Sequence, residues 1–120
     1  MRFSNELTQE TIKEKFKNIL NDLNCEYEIS WNCSAEPFIT NEGKLTKILQ
    51  DTIKETIGIN SALSTTGGTS DARFISKHVK ETVEFGPLNK TAHKINENIN
   101  LEDLISLEKI YYNVLCKILL

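Results

Sequence analysis

Residues 8–33, TQETIKEKFKNILNDLNCEYEISWNC, join a helical pattern to a strand pattern and decide the predicted fold class. Thr8 can act as an N-cap, and apolar residues then recur at helical spacing over residues 9–23. Residues 26–33 alternate strictly between apolar and polar side chains, which is typical of a strand with one solvent-facing side. With a short strand expected in RFS before the helix, the first 34 residues predict a βαβ unit.

The remainder of the chain predicts further helices. Pro37, in SAEPF, marks the best candidate for a boundary, so we expect one segment at 1–36 and another at 37–120. Residues 42–57 have a helical apolar pattern, and Gly58 follows where a left-handed C-terminal residue belongs. Asn100 should cap a last helix at about residues 101–119, whose apolar circumference predicts packing from more than one side.

Short segments between these helices predict strands and a turn. SALST (61–65) and ETVEF (81–85) have the composition of short strands, the second ended by a Gly-Pro pair. DARFISKH (71–78) predicts one or two helical turns. The second segment is therefore expected to be α/β as well, and the predicted class for the whole chain is α/β, or α+β in these proportions.

Composition and charge exclude several classes of protein. A chain of 120 residues with 39% hydrophobic and 26% charged residues is typical of a globular domain. The net charge is −3 with neither sign clustered, which argues against a nucleic-acid partner. No targeting or membrane-spanning segment is evident, so we expect a cytoplasmic protein. Cys25, Cys33 and Cys116 show no CxxC spacing, which favours reduced thiols over a disulfide or zinc frame.

The stretch STTGGTSDARF, residues 64–74, is the first candidate binding loop. Gly67 and Gly68 allow close backbone approach, and the hydroxyls that follow can donate to an anion. The loop is not a P-loop, because Lys and Ser/Thr do not follow at the required offset. The alternative is a strand-to-helix turn in which Ser70 or Asp71 caps the helix and Asp71 pairs with Arg73. Spacing alone slightly favours the turn.

Two further side chains are candidates for chemistry. His93 follows a Gly-Pro turn, and a neutral imidazole is a common zinc ligand. One histidine cannot hold zinc, which takes three or four protein donors, although Glu97 can add a ligand or orient the ring. Arg2 carries a planar cation suited to a carboxylate. For His93 and Arg2 the alternative is a solvated side chain, and His78, between lysines, is expected to be only that.

LSTTGGTSDARFI (63–75) and VEFGPLNKTAHKINENINLEDL (83–104) resemble the C-terminal part of the succinyl-diaminopimelate desuccinylases, dinuclear zinc amidohydrolases of the aminoacylase and carboxypeptidase clan. RFSNELTQETIKE (2–14) and EISWNCSAEPFITNEGKL (28–45) resemble, in the same order, the second half of that family's lid and the return into its catalytic domain. The resemblance implies that residues 1–36 are half of a ferredoxin-like lid or dimerisation domain. Residues 37–120 would then end an α/β catalytic domain.

The resemblance also implies roles for individual residues. His93 matches a zinc ligand, Gly68 and Thr69 match a loop that contacts the substrate, Asn89 matches a residue near the succinyl or diaminopimelate moiety, and Arg2 matches an arginine that binds a substrate carboxylate. The family's intact enzymes are expected to use two Zn²⁺ or Co²⁺ ions. They are expected to act as homodimers that convert N-succinyl-LL-2,6-diaminopimelate to succinate and LL-diaminopimelate for lysine and peptidoglycan precursors.

The chain departs from the family pattern because it lacks counterparts of most of the active site. The other metal ligands, the general-base glutamate and the histidine lent across the dimer have no match here. A two-metal site clamps its reactants between both ions, so we expect this chain alone to be inactive and metal-free, with the missing N-terminal segment as its partner. The alternatives are a stand-alone interaction or anion-binding module, or a fragment of a related deacylase such as acetylornithine deacetylase.

Overall fold

The computed structural model describes residues 1–24, 26–66, 68, 70–88 and 90–120. Within these ranges the secondary structure consists of four helices. In chain order they are α1 (Gln9–Asp22), α2 (Lys44–Ile57), α3 (Ala72–Ile75) and α4 (Leu101–Leu119). None of the helices in the described part is long and apolar enough to cross a membrane.

The predicted strands are wrong, and with them the βαβ unit and the α/β class. Residues 2–4, 26–33, 61–65 and 81–85 form no strand, and the described residues contain no sheet. A strand exists only through a ladder of hydrogen bonds to a neighbouring backbone. The alternation at 26–33 describes which side chains share a face, but it supplies no partner for the main chain.

Side chains bond to the backbone groups where ladders were expected. The hydroxyl of Thr40 donates to the carbonyl of Thr82 at 2.7 Å and accepts from its N–H at 3.2 Å. Gln50 Nε2 donates to the carbonyl of Ser61 at 3.0 Å, and the hydroxyl of Tyr111 donates to the backbone carbonyl of Phe85. These bonds satisfy part of the polar backbone without any sheet.

The predicted helix boundaries are confirmed at three helices. Thr8 Oγ1 accepts from the N–H of Thr11 at 3.2 Å, and Thr11 Oγ1 accepts from the N–H of Thr8 at 3.0 Å, so both residues cap α1. Gly58 ends α2 with φ of 72°. Asn100 Oδ1 accepts from the N–H of Glu102 at 3.0 Å at the start of α4. Local caps therefore mark the starts of α1 and α4 and the end of α2.

The amino end of α2 is capped by a carboxylate from far along the chain. Glu81 accepts hydrogen bonds from the N–H groups of Lys44 at 3.1 Å, Leu45 at 2.8 Å and Thr46 at 3.4 Å. A negative charge is favourable here because the free N–H groups give the helix start a partial positive charge. Gly43 precedes the helix, where a Cβ would lie 2.5 Å from the Glu81 carboxyl carbon.

The core lies between α2 and α4. Leu49 and Ile53 of α2 pack against Ile110 and Val114 of α4, and Ile48, Val83 and Phe85 cover the edge of this cluster. Lys117 of α4 donates to Glu55 of α2 in an ion pair that is largely solvent-exposed. We expect the apolar contacts to outweigh this pair, because exposed ion pairs contribute about 0–1 kcal/mol.

Part of α4 stays uncovered. Ile110 is 1% exposed, whereas Tyr112 is 68% and Leu115 is 55% exposed. The predicted packing of this helix from more than one side is therefore not found. α2 is the helix that packs against α4 within the described ranges, and residues 83–85 extend that same side.

Residues 26–36, which follow α1, fold back onto that helix through their side chains. The rings of Phe16 and Trp31 meet edge to face with centroids 5.7 Å apart. Gln9 donates to the carboxylate of Glu36, and the Tyr27 hydroxyl donates to Asn21 Oδ1 at 3.1 Å. Residues 26–36 are thus held close to α1 although they form no strand.

We predict that Gly43→Ala destabilises the chain, because the new methyl group displaces the Glu81 carboxylate from the α2 N-terminus. Loss of a helix cap costs about 1 kcal/mol. The measurement is the free energy of unfolding in urea, followed by helical circular dichroism. Gly86→Ala is the matched control, because a Cβ there meets nothing within 4 Å. Equal stability of the two variants would contradict the capping role.

We predict that Ile110→Val lowers the free energy of unfolding by about 1 kcal/mol, the usual cost of deleting one buried methylene. The same change at Ile118, which lies on α4 and is 42% exposed, should cost less than half as much. Urea unfolding of both variants tests this. Equal losses would show that the α2–α4 contact is not the core of the chain.

Candidate functional site

Arg2 and Gly68 line one cavity of about 400 Å³. We call it the Arg2–Gly68 cavity; charged and hydroxyl side chains around it include Glu36, Ser70, Arg73 and Glu84. The N-terminal segment supplies Arg2, and the polar loop after residue 63 supplies Gly68. The fold therefore brings to one cavity two residues that are 66 positions apart and for which the family resemblance implies substrate binding.

Hydrogen bonds order the loop side of this cavity. Ser70 Oγ donates to the carboxylate of Glu84 and accepts from the N–H of Ala72 at 3.0 Å. Of the two predicted caps, Asp71 occupies the N-cap position of α3 but its side chain makes no capping bond, and it is Ser70 that accepts from the first N–H of the helix. The predicted pairing of Asp71 with Arg73 is wrong, since no ion pair joins these two described residues.

Arg73 lines this cavity and has an incomplete set of hydrogen bonds. Its guanidinium lies over the ring of Phe74, 4.6 Å from the centroid. Its Nε is buried and has no hydrogen-bond acceptor within the described part of the chain. A buried donor without an acceptor is costly, so the described residues leave Arg73, a residue that lines this cavity, with one unsatisfied N–H.

A second cavity of about 530 Å³ also borders Gly68. Hydroxyl side chains dominate its polar lining: Thr40, Thr46, Ser64, Thr65, Thr66 and Thr82. Thr82 Oγ1 is buried without a hydrogen-bond partner in the described structure. A Cβ on Gly68 would meet nothing within 4 Å, so packing of the described residues does not require glycine there.

His93 lies apart from both cavities. Its side chain is exposed, and it lines neither the Arg2–Gly68 cavity nor the hydroxyl-rich cavity. Thr69 and Asn89, the other predicted substrate contacts, fall outside the described residues. The structure therefore joins two of the predicted site residues and leaves the predicted metal ligand separate.

A small closed loop presents His93. Thr91 Oγ1 donates to the carbonyl of Asn98 at 2.8 Å and accepts from its N–H at 3.2 Å, which ties the two ends together. Inside this loop His93 has φ of 62°, the left-handed region. That conformation costs a residue with a Cβ about 1–2 kcal/mol. Backbone strain of this kind is found at binding sites more often than elsewhere.

A dinuclear metal site does not fit the side chains present. No group of three or more His, Cys, Asp or Glu residues converges within the described ranges. Zinc takes three or four protein donors, so His93, even with Glu97, falls short. Cys33 and Cys116 are free thiols, as predicted, while Cys25 lies outside the described residues. His78 is exposed, in agreement with its predicted solvated role.

Sequence reasoning missed part of the Arg2–Gly68 cavity. Ser70 was already a candidate donor of the loop that contains Gly68, whereas Arg73, in the same loop, was expected only to pair with Asp71. No signal in the sequence pointed to Glu84, because its position beside Ser70 depends on how residues 81–85 pack. Alternation along ETVEF pointed to a strand and gave no indication of a cavity.

Comparison with known proteins decides the family. The model of the peptidase family M20/M25/M40 matches residues 4–117. The chain belongs to this family. It is 48% identical over 114 residues to the succinyl-diaminopimelate desuccinylase of Polynucleobacter necessarius subsp. necessarius, covering 95% of this chain and 30% of that one. The corresponding protein of Pseudoalteromonas atlantica is 43% identical over 118 residues, covering 98% and 31%.

A third relative extends the match to nearly every residue. The succinyl-diaminopimelate desuccinylase of Thioalkalivibrio sulfidiphilus is 43% identical over 119 residues, which is 99% of this chain and 32% of the relative. The resemblance to desuccinylases is confirmed. The chain spans about a third of the length of the curated relatives it matches.

We predict that the purified chain and its His93→Ala variant bind Zn²⁺ equally weakly in a calorimetric titration. The reason is that the described residues place no second and third ligand beside the imidazole. A saturable one-to-one isotherm that disappears in His93→Ala would contradict this prediction. Circular dichroism of both proteins checks that the substitution leaves the helices intact.

Proposed function

We propose that this chain is the C-terminal part of a metal-dependent amidohydrolase that converts N-succinyl-LL-2,6-diaminopimelate to succinate and LL-diaminopimelate. The observation that carries the proposal is the near-complete match to proteins named succinyl-diaminopimelate desuccinylase, at 43–48% identity. None of these three relatives is named a deacetylase, so a fragment of acetylornithine deacetylase is the weaker candidate.

The proposed binding residues keep the roles that the resemblance implies. Arg2 binds a substrate carboxylate, Gly68 and Thr69 form the contacting loop, and Asn89 lies near the bound moiety. Proximity of Arg2 to Gly68 supports this assignment, because both line one cavity. We add Arg73 to the proposed binding residues, because its buried Nε has no hydrogen-bond acceptor within the described part of the chain.

The charges of the Arg2–Gly68 cavity suit the proposed substrate. N-succinyl-diaminopimelate carries three carboxylates and one ammonium group, and diaminopimelate carries two of each. Arg2 and Arg73 can pair with the carboxylates, and Glu36 or Glu84 can accept from the ammonium. Binding both signs at fixed positions holds the substrate in one orientation, which is the main contribution these side chains make to catalysis.

His93 is proposed as one metal ligand whose companions come from polypeptide that this chain does not contain. The metal supplies the activation of water and of the amide carbonyl when the whole site is present. Zinc or cobalt as the metal, the homodimer and the cytoplasmic location all stay predictions. The segments 1–36 and 37–120 remain our proposed lid and catalytic parts, and the packing of residues 26–36 on α1 supports the first.

We predict that the isolated chain releases no succinate from N-succinyl-LL-2,6-diaminopimelate, with or without added Zn²⁺, because the described residues do not assemble a metal site. The full-length Polynucleobacter relative, assayed in parallel, is the positive control. Turnover by the isolated chain that scales with its concentration and persists through purification would contradict the incomplete-site interpretation.

A chimera tests the proposed function directly. This chain replaces the matching third of the Polynucleobacter relative, and we expect the chimera to hydrolyse the succinylated substrate. Within it, Arg2→Ala should lower kcat/KM by roughly 10- to 100-fold, because a hydrogen bond between charged groups contributes about 1.5–3 kcal/mol. Lys15→Ala, which removes an exposed cation of α1, is the matched control. A folded but inactive chimera would contradict the proposed function.

A further inference from the structure

α4 carries two apolar faces, of which the chain covers one. Ile110 and Val114 point into the core with α2. On the other side of the helix, apolar residues recur at spacings of three, four and seven, which we call the outward face of α4. Its members are Leu101, Leu104, Ile105, Tyr112, Leu115 and Leu119, all exposed. Helices that are apolar on both sides are characteristic of interior positions in larger folds.

The whole molecule exposes more surface than a compact chain of its size. Its accessible area is 10094 Å², whereas a folded monomer of this mass exposes roughly 6,600 Å². Its radius of gyration is 19.5 Å, against about 14 Å for a compact domain of this length. The excess area is several times the roughly 800 Å² that each partner of a stable complex buries. The chain therefore leaves uncovered more surface than a single interface of ordinary size would bury.

Charge on the outward face argues against a second copy as that partner. Glu108 lies within the apolar stripe and is the charged residue on it. A symmetric pair through this face would bring two Glu108 carboxylates into one apolar interface. Burying like charges together is unfavourable unless each has an opposite partner. A different polypeptide that offers apolar residues and one cation avoids this cost.

The relatives indicate which polypeptide this is. The family match runs to residue 117, almost to the end of α4. In the relatives the matching region belongs to chains about three times as long. A helix with two apolar faces is expected there between two layers of one fold. The unmatched two thirds of such a chain are then the source of the second layer.

We propose that the outward face of α4 is the docking surface for a polypeptide equivalent to the part of the desuccinylases that this chain does not span. The proposal rests on the proposed function for the identity of the partner. The docking segment is apolar and carries a Lys or Arg that faces Glu108. Docking covers the outward face of α4 and adds a second layer to the small α2–α4 core.

The experiment supplies that polypeptide. The tagged chain is co-expressed with the remaining 70% of the Polynucleobacter relative, whose matched region is 30% of its length. The complex is recovered through the tag, and the yield of the untagged part is measured. Leu115→Lys places a charge on the outward face, and Asn113→Lys adds the same charge to an exposed position elsewhere on α4. Tyr112→Lys is the second face variant, used if Leu115→Lys fails to fold.

We expect wild type and Asn113→Lys to recover the partner equally, and the face variant to recover it at least tenfold less. No recovery by the wild type, or equal recovery by the face variant, would overturn the proposal. The proposal would also be overturned if the wild-type chain forms a dimer and Leu115→Lys makes it monomeric. The outward face would then bind a second copy of this chain. Succinate release by the recovered complex is scored separately: a complex without turnover contradicts the proposed function and leaves the docking surface standing.

Discussion

The Glu81 carboxylate at the amino end of α2 is the contact on which the rest of the structure depends. It accepts hydrogen bonds from three backbone N–H groups at the start of the helix, and it lies 35–37 residues further along the chain than those donors. Charge-assisted bonds to a helix terminus are among the stronger polar contacts a protein makes. This contact fixes residues 81–85 beside α2. The same segment then delivers Val83 and Phe85 to the core and Glu84 to the Arg2–Gly68 cavity.

The candidate site follows from this placement, and so does its incompleteness. Arg2, Gly68 and Arg73 meet at one cavity because the N-terminal segment and the loop after residue 63 both reach the 81–85 segment. His93 does not line that cavity, and its own loop is closed locally by the hydrogen bonds between Thr91 and Asn98. The proposed substrate-binding residues and the single metal-ligand candidate therefore lie in two places. In a protein of three times the length, further layers can bring such parts into one site.

Burial is what this chain lacks most. Five apolar residues form its buried core within the described ranges, a small number for 120 residues. Hydrophobic stabilisation scales with the apolar area removed from water, so two helices with one shared face support only a modest stability. The outward face of α4 is one of the apolar surfaces that the chain leaves uncovered. Covering it links the stability of the fold to the completion of the site.

The sequence by itself determined the family, the helices and their caps. Thr8, Gly58 and Asn100 act within a few residues of themselves, so their patterns predicted α1, α2 and α4 correctly. The double-glycine loop and Arg2 were also visible in the sequence as binding candidates. All of these signals are local, or they are shared with relatives.

Tertiary structure alone decided the rest. The sequence patterns of residues 26–33 and 81–85 predict strands, but neither segment forms one. A strand requires hydrogen bonds to the backbone of a neighbouring strand, and the alternation of side chains shows only which of them share a face. Long-range contacts place Glu81 at the start of α2 and Glu84 beside Ser70, and burial leaves the Nε of Arg73 without an acceptor within the described residues. The loop of His93 makes its hydrogen bonds locally, between Thr91 and Asn98. Local chemistry therefore specified where helices begin and end. Which segments meet was settled by where the long-range hydrogen bonds and the α2–α4 contact could form.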